Sequence, residues 1–327
     1  MPSSLSASSP PRNAADALLA RGEVYETIPA WLAARQRGIG SSEAATVVGL
    51  PQAGSPLRLY YEKTGQIDTL ADPSPALRIG LLMEPLILRL FGEEAADHGV
   101  GDLRLAGEGD RHVLLRHPDH PWMLASLDAV GVREGEPVIV ELKTVSAWAG
   151  RDWLDHGEPP VPYQVQVQHQ LAVTGLQRAY LVALIGGFDL RWTPVERDEA
   201  FIARLIEAEA AFWRRVEQGE PPEADDKPET QEAMKRLLLK QDRATIPVAV
   251  PLQHLDEERQ HVIEQIQGLE TRKVAIENII LSKVIEQGGT MAVLPNGVTY
   301  EWRKVTRKPY RVEGTTYVRL TRREPKP

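Results

Sequence analysis

The hydrophobic pattern of this chain changes period several times, and each change marks an element. The first 22 residues, rich in Ser, Pro and Ala, carry no sustained apolar period and read as a mobile tail with room for a short helix. From Ile28 the pattern becomes globular. Helical spacing is read over Trp31 to Arg37, Leu57 to Thr64 and Pro75 to Glu94, the last with Leu77, Leu81, Leu88 and Phe91 on its apolar side. Between the first two, Gly38-Ile39-Gly40-Ser41-Ser42-Glu43 reads as a turn into a helix over Glu43 to Val48, with Ser41 or Ser42 as its cap. Short β-rich runs follow at Leu103 to Leu105, His112 to Leu115, Met123 to Val132 and Val138 to Thr144. Pro162 to Thr174 is expected to be a helix and Ala179 to Ile185 a buried strand, with Gly186-Gly187 turning it back into Asp189 to Val195. An amphipathic helix over Asp198 to Gln218 is closed by Gly219.

The texture then shifts. Glu220 to Glu229 is dense in proline and acid and reads as a linker. Beyond it, Val262, Ile266, Leu269, Ile276 and Ile280 recur in steps of four and three, with Lys273 at the one polar seam position. That coiled-coil-like stripe fits either a helical hairpin folding back onto the body or a partner interface. Pro295-Asn296-Gly297 is a tight turn between short strands. The expected organisation is a mobile tail over 1–28, a main globular domain over 29–224, and a helical and basic β region over 225–327.

Composition narrows the chemistry. With 327 residues the chain can bury a real core. No apolar run reaches membrane length and the N-terminus lacks a hydrophobic secretory segment, so a cytoplasmic protein without membrane partners is expected. The absence of cysteine removes disulfides, thiolate metal sites and a thiol nucleophile, and the eight histidines show no His-Glu-x-x-His spacing. Net charge is −8, but Asn296 to Pro327 carries nine Lys/Arg against three Glu, a local +6 that leaves −14 elsewhere. Such a tail serves either local phosphate contacts or a solvated β-edge guarded against aggregation.

The strongest chemical signal lies where two β runs meet. Val138-Ile139-Val140 is apolar enough to be buried, yet it ends in Glu141-Leu142-Lys143. Glu141 and Lys143, two apart on a strand, share a face. Asp128 lies thirteen residues before Glu141, and the turn-forming stretch Gly131 to Pro137 makes a hairpin that sets the two carboxylates side by side. Paired hard oxygen ligands beside an ammonium suit Mg²⁺ or Mn²⁺. Four further segments accompany them. Arg35 and Arg37 flank the glycine-rich turn, an arrangement suited to a phosphate. Glu84 stands among apolar residues in Gly80-Leu81-Leu82-Met83-Glu84-Pro85. Tyr163-Gln164-Val165-Gln166-Val167-Gln168-His169 is expected to place Gln164 and Gln168 on one helical face and to turn Gln166 away. Arg197-Asp198-Glu199 reads as structural. Asp119, in His117-Pro118-Asp119-His120-Pro121, reads first as part of a turn and second as an acid near the site.

The ordered set from Trp31 to Pro222 resembles the YqaJ-type viral recombinase family, in the phage lambda exonuclease-like group of the PD-(D/E)xK nucleases. The resemblance implies an α/β, restriction-endonuclease-like core, a central mixed sheet flanked by helices. It implies a Mg²⁺-dependent deoxyribonuclease, with Mn²⁺ as a substitute, in which Asp128, Glu141, the Leu142 carbonyl and Glu84 hold metal. Lys143 would orient or deprotonate the attacking water, Gln168 would steady the lysine or the scissile phosphate, and Arg35 and Ser42 would hold a DNA phosphate. The expected activity is that of a phage-type 5′→3′ exonuclease on double-stranded DNA, gripping 5′-phosphate ends. The alternatives are an endonuclease or a non-catalytic DNA-binding recombination scaffold. A single-strand annealing protein as partner and a trimeric ring belong to the same implication. The proline of the "PD" signature is replaced by Leu127.

Overall fold

The computed structural model describes residues 11–67, 75–107, 111–241 and 252–306. The chain divides into two units, Met1–Lys240 and Gln241–Pro327.

The first unit is built on a five-stranded mixed sheet ordered Val100–Leu105, Ala129–Arg133, Glu136–Val145, Arg178–Ile185 and Asp189–Glu196. Its only parallel pair is Glu136–Val145 with Arg178–Ile185; the other neighbours are antiparallel. The parallel pair requires a crossover, and the helix Val161–Thr174 lies within it. Because both faces of the sheet are covered, the central strands read as nearly continuous apolar runs. Val138, Val140 and Leu142 pack on one face with Ile87, Leu88 and Phe91 of the helix Pro75–Ala95. Ile139 and Val145 pack on the other with Val167 and Leu171 of Val161–Thr174. Strand alternation thus sends Glu141 and Lys143 toward the crossover helix. This is the α/β core with flanking helices that the sequence led us to expect.

A smaller four-stranded sheet is ordered Glu23–Tyr25, His112–Arg116, Met123–Ala125 and Ile39–Gly40, its middle two strands falling in sequence between Val100–Leu105 and Ala129–Arg133 of the first. The single strand expected over Met123 to Val132 is broken. Met123–Ala125 belongs to the small sheet and Ala129–Arg133 to the large one, with Ser126-Leu127-Asp128 between them. The hairpin is tighter than the whole Gly131 to Pro137 stretch. Arg133 pairs with Glu136 across a two-residue turn, with Glu134 at φ +54 and Gly135 at φ +85. Two consecutive positive φ values define a turn whose twist matches the strands, and Gly at the second position relieves the strain.

Two boundary expectations are corrected. Residues from Asn13 on are docked rather than mobile. Ala15 and Leu18 of the helix Ala14–Leu19 are buried in the main core, Asp16 pairs with Arg104 at 2.6 Å, and Arg21 donates to the Thr174 carbonyl at 3.1 Å. Nor is Glu220 to Glu229 a free linker ending the domain at 224. Lys227 donates to the carbonyls of Leu50, Ala53 and Gly54 at 2.8–2.9 Å, and Asp225 accepts from Ser55 at 2.8 Å. The following helix, Pro228–Leu239, buries Thr230 and Ala233, so the unit runs to Lys240. The acid and proline read as linker composition, but Asp225 and Lys227 are spent on anchoring the segment to the body.

In the second unit, Leu252–Glu286 is one uninterrupted helix of 35 residues with no internal reversal. Met291–Val293 and Thr299–Glu301 pair antiparallel around Pro295-Asn296-Gly297, where Gly297 takes φ +83. The basic positions Arg307 and Lys308 lie outside the described residues.

Candidate active site

The hairpin brings its two carboxylates together as the spacing requires. Ala129 faces Val140 in the ladder, which sets Asp128 opposite Glu141. Asp128 Oδ2 accepts the Leu142 N–H at 2.9 Å, a backbone bond made available where Asp128 steps out of strand pairing. Glu141 is 1% exposed. Its Oε1 accepts from Lys143 Nζ at 2.5 Å and from Gln166 Nε2 at 2.5 Å, and its Oε2 accepts from Gln170 Nε2 at 2.6 Å. Gln166 Oε1 in turn accepts from Lys143 at 3.0 Å, so one amide bridges the acid and the base. Lys143 also lies 5.3 Å from the centre of the Tyr163 ring.

The expected helical face is therefore the wrong one. Gln168 points away from Glu141 and Lys143. It donates to the Glu196 carbonyl at 2.7 Å and accepts the Asp198 N–H at 3.0 Å, tying the end of one strand to the start of the helix Glu199–Gln218. Gln164 donates to the Pro159 carbonyl at 2.8 Å. Gln166 and Gln170, the pair two residues further on, face the acid. The expectation rested on helical spacing alone, which does not say which face meets the sheet, and every residue from Val165 to Thr174 is buried. A helix buried all round has no solvent face, and each of its glutamines needs an internal partner. That demand, visible once Gln170 is counted, was the missed signal.

A cavity of about 640 Å³ gathers Asp128, Glu141 and Lys143 with Glu84 from the long helix and with Arg35, Gly40 and Ser42 from the glycine-rich turn. Leu142 also lines it. Asp119 sits in an exposed turn with its N–H on His117 Nδ1 at 3.0 Å, and its carboxylate has no place in the cavity lining. The glycine-rich turn is built differently from the expected serine cap. Ser41–Glu43 is a single 3₁₀ turn leading into the four-residue helix Ala44–Val47, and the Glu43 carboxylate accepts the Gly40 N–H at 2.7 Å. So short a helix offers no useful dipole for an anion. The cationic feature is Arg35 itself. Its guanidinium lies 4.6 Å from the centre of the Trp31 ring and donates to Ser42 Oγ at 3.0 Å. Gly40 makes room for it: a Cβ there would come within 2.9 Å of Arg35 Nη2. Beneath, Lys63 pairs with Glu43 at 2.7 Å and donates to the Arg35 carbonyl at 3.0 Å. Lys63 went unnoticed in the sequence because a lysine at a helix end is normally solvated.

The electrostatics follow from crowding three carboxylates around one ammonium. Burial, reinforced by the Glu141 charge, pushes the Asp128 carboxyl well above the usual range. Burial, and then Glu141, raise Glu84 to about 7. For Lys143, burial works against the charged form, but Glu141 and Asp128 outweigh it and the ammonium is held above its ordinary value. Burial also opposes the Glu43 charge, yet Lys63 and Arg35 prevail and hold that carboxyl below its ordinary value.

The donor set suits a divalent cation. It is all oxygen, it is short of positive charge, and two of its acids keep a proton too tightly for isolated carboxylates. Among the described residues no three acidic or histidine side chains are closed into a ready cage. Glu141 is instead occupied by its three N–H donors.

The pattern described as the YqaJ-like viral recombinase domain matches residues 30–177. The chain is also 33% identical over 258 residues to the uncharacterized protein YqaJ of Bacillus subtilis (strain 168), covering 76% of each. This chain belongs to the YqaJ-like viral recombinase family. Among solved structures it is similar to the alkaline exonuclease LHK-Exo of Laribacter hongkongensis, at 23% identity and a TM-score of 0.47 over 59% of this chain and 94% of that one. LHK-Exo in complex with dAMP gives 25% identity and a TM-score of 0.48, over 65% and 98% of the two chains. A phage-related exonuclease from Haemophilus somnus 129PT gives 11% identity and a TM-score of 0.39, over 55% and 94%. Among the described residues no helix is long and apolar enough to cross a membrane.

Proposed function

We propose that this chain is a metal-dependent deoxyribonuclease that hydrolyses phosphodiester bonds in recombination, acting as a 5′→3′ exonuclease on duplex DNA. The observation that carries the reading is the shared cavity. Three carboxylates and a lysine stand in the same space as an arginine and serine suited to a phosphate. Membership of a viral recombinase family supports DNA as the substrate.

Asp128, Glu141 and Glu84 would hold Mg²⁺ or Mn²⁺, which supplies Lewis acidity and a nucleophilic water at neutral pH. The rest falls to the protein. Gln170 fixes one oxygen of Glu141 from the interior and Gln166 the other, so the carboxylate cannot rotate. Lys143 keeps its proton, which favours orienting water and stabilising charge on the phosphate over acting as a general base. Arg35, held flat by Trp31, is set to grip a terminal phosphate with Ser42.

The test is purified protein with Mg²⁺ on 5′-phosphorylated linear duplex and on covalently closed circles. The reading expects nucleotide release from linear duplex alone. Cutting of closed circles would replace it with an endonuclease. Tight DNA binding without cleavage in either metal would replace it with a scaffold.

A further inference from the structure

Two aromatic side chains next to the site stand in solvent rather than in the core. Trp148 is 79% exposed and Phe188 is 97% exposed. Among the described residues neither ring meets another ring, whereas Trp31 stacks on His112 and Trp192 meets Phe91 edge-on. The two sit on turns that touch. Trp148 lies in the turn after Glu136–Val145, and Phe188 closes the Gly186-Gly187-Phe188 loop between Arg178–Ile185 and Asp189–Glu196. Gly186 donates to the Val145 carbonyl at 2.8 Å, and a Cβ on Gly186 would lie 3.3 Å from that of Ala147. Ser146, Gly186 and Gly187 line the cavity that holds Glu141 and Lys143. Both aromatics are therefore within two residues of its wall.

The turns are also stiff. Gly150 donates to the Ser146 carbonyl at 2.9 Å, Ala149 to Ser146 Oγ at 3.2 Å, and Phe188 to the Ile185 carbonyl at 3.2 Å. Gly186 and Gly187 take φ +62 and +83, which a side chain would resist. Exposing two large rings on such turns forgoes the stabilisation their burial would bring. Rings held ready in water at the mouth of a phosphate-cleaving site match one ligand chemistry, the flat face of a nucleobase.

We propose that Trp148 and Phe188 form a base-stacking platform for unpaired nucleotides of the DNA strand at the rim of the site. This rests on the nuclease reading of the same cavity. Stacking tolerates any base, so the platform would hold an open strand without sequence preference.

The experiment compares two cleavage-resistant phosphorothioate duplexes by fluorescence anisotropy, one with a base-bearing single-stranded overhang and one with an abasic overhang of equal length. Wild-type protein should bind the base-bearing probe roughly 5- to 100-fold more tightly. Trp148→Ala/Phe188→Ala should lose that preference while binding the abasic probe as before. Trp148→Phe/Phe188→Tyr should retain most of it, because a π-face remains. A preference unchanged in the alanine variant would overturn the proposal. So would a wild type that cuts DNA yet binds both probes equally, and that outcome leaves the nuclease reading standing. A wild type that neither binds nor cuts DNA sinks both.

Discussion

Glu84→Gln should stabilise the metal-free protein as pH rises above about 4.5, and most fully above about 7. Glu84 is raised from 4.5 to about 7 by burial and by the Glu141 charge. Between those values the folded state holds a proton that the unfolded state has released, so this group's contribution to stability falls as pH rises through the window. Fully shielded from water, such a change corresponds to about 3.4 kcal/mol. Glu84 is partly open to water, and solvent screening reduces the expected effect to about 1–2 kcal/mol. Glutamine carries no proton to lose. At about pH 4, below both values, the two proteins should unfold together, and at pH 8 in EDTA the variant should unfold about 2–8 °C higher. Added Mg²⁺ should reverse the order, because the cation stabilises the wild type by binding its folded state and the variant has lost a ligand. The assay is thermal unfolding at both pH values, with and without Mg²⁺. A variant no more stable than wild type at pH 8, or an equal gap at both pH values, would refute the reasoning.

Three further outcomes are expected. Gln166→Leu should lower DNA cleavage at least 10-fold, by freeing both Glu141 and Lys143, while Gln168→Leu should leave the rate per folded molecule near wild type and lower thermal stability by about 1–3 kcal/mol through the unpaired Asp198 N–H and Glu196 carbonyl; rates and melting curves measured on the same preparations separate the two. Arg35→Ala should slow digestion of 5′-phosphorylated ends much more than of 5′-hydroxyl ends, in a side-by-side assay of the two substrates. Truncation after Lys240 should yield a folded, soluble protein, while truncation after Pro222 strips the Lys227 and Thr230 anchors and exposes the surface under Ala233, so that it should aggregate or melt markedly lower by light scattering and calorimetry.

Much of this was legible because strand periodicity and hairpin chemistry are local. The two-residue spacing of Glu141 and Lys143 and the turn-forming stretch before Pro137 were enough to set Asp128 beside Glu141, and the ladder register does so. Glu84, Arg35 and Ser42 came through resemblance, and the structure collects them in one cavity. What stayed hidden depends on burial, which a sequence does not display. Gln166 and Gln168 differ only in which neighbour the helix meets, and the choice is made by a strand some 25 residues away. Lys227 and Asp225 look like linker charges until the carbonyls of Leu50 to Gly54 and the Ser55 hydroxyl are seen to need them. The break at Ser126-Leu127-Asp128 is hidden for the same reason, since both flanking runs are β-prone and only the two sheets separate them.

The central claim is that Asp128 and Glu141 form a metal-dependent site for phosphodiester hydrolysis. Its most direct test is nucleotide release from a 5′-phosphorylated linear duplex by wild type, Asp128→Ala and Glu141→Ala, each in Mg²⁺ and in EDTA, with folding of all three checked by circular dichroism. The account predicts release by the wild type in Mg²⁺ alone and none from either folded variant. Undiminished cleavage by either variant, or cleavage by the wild type in EDTA, would contradict it.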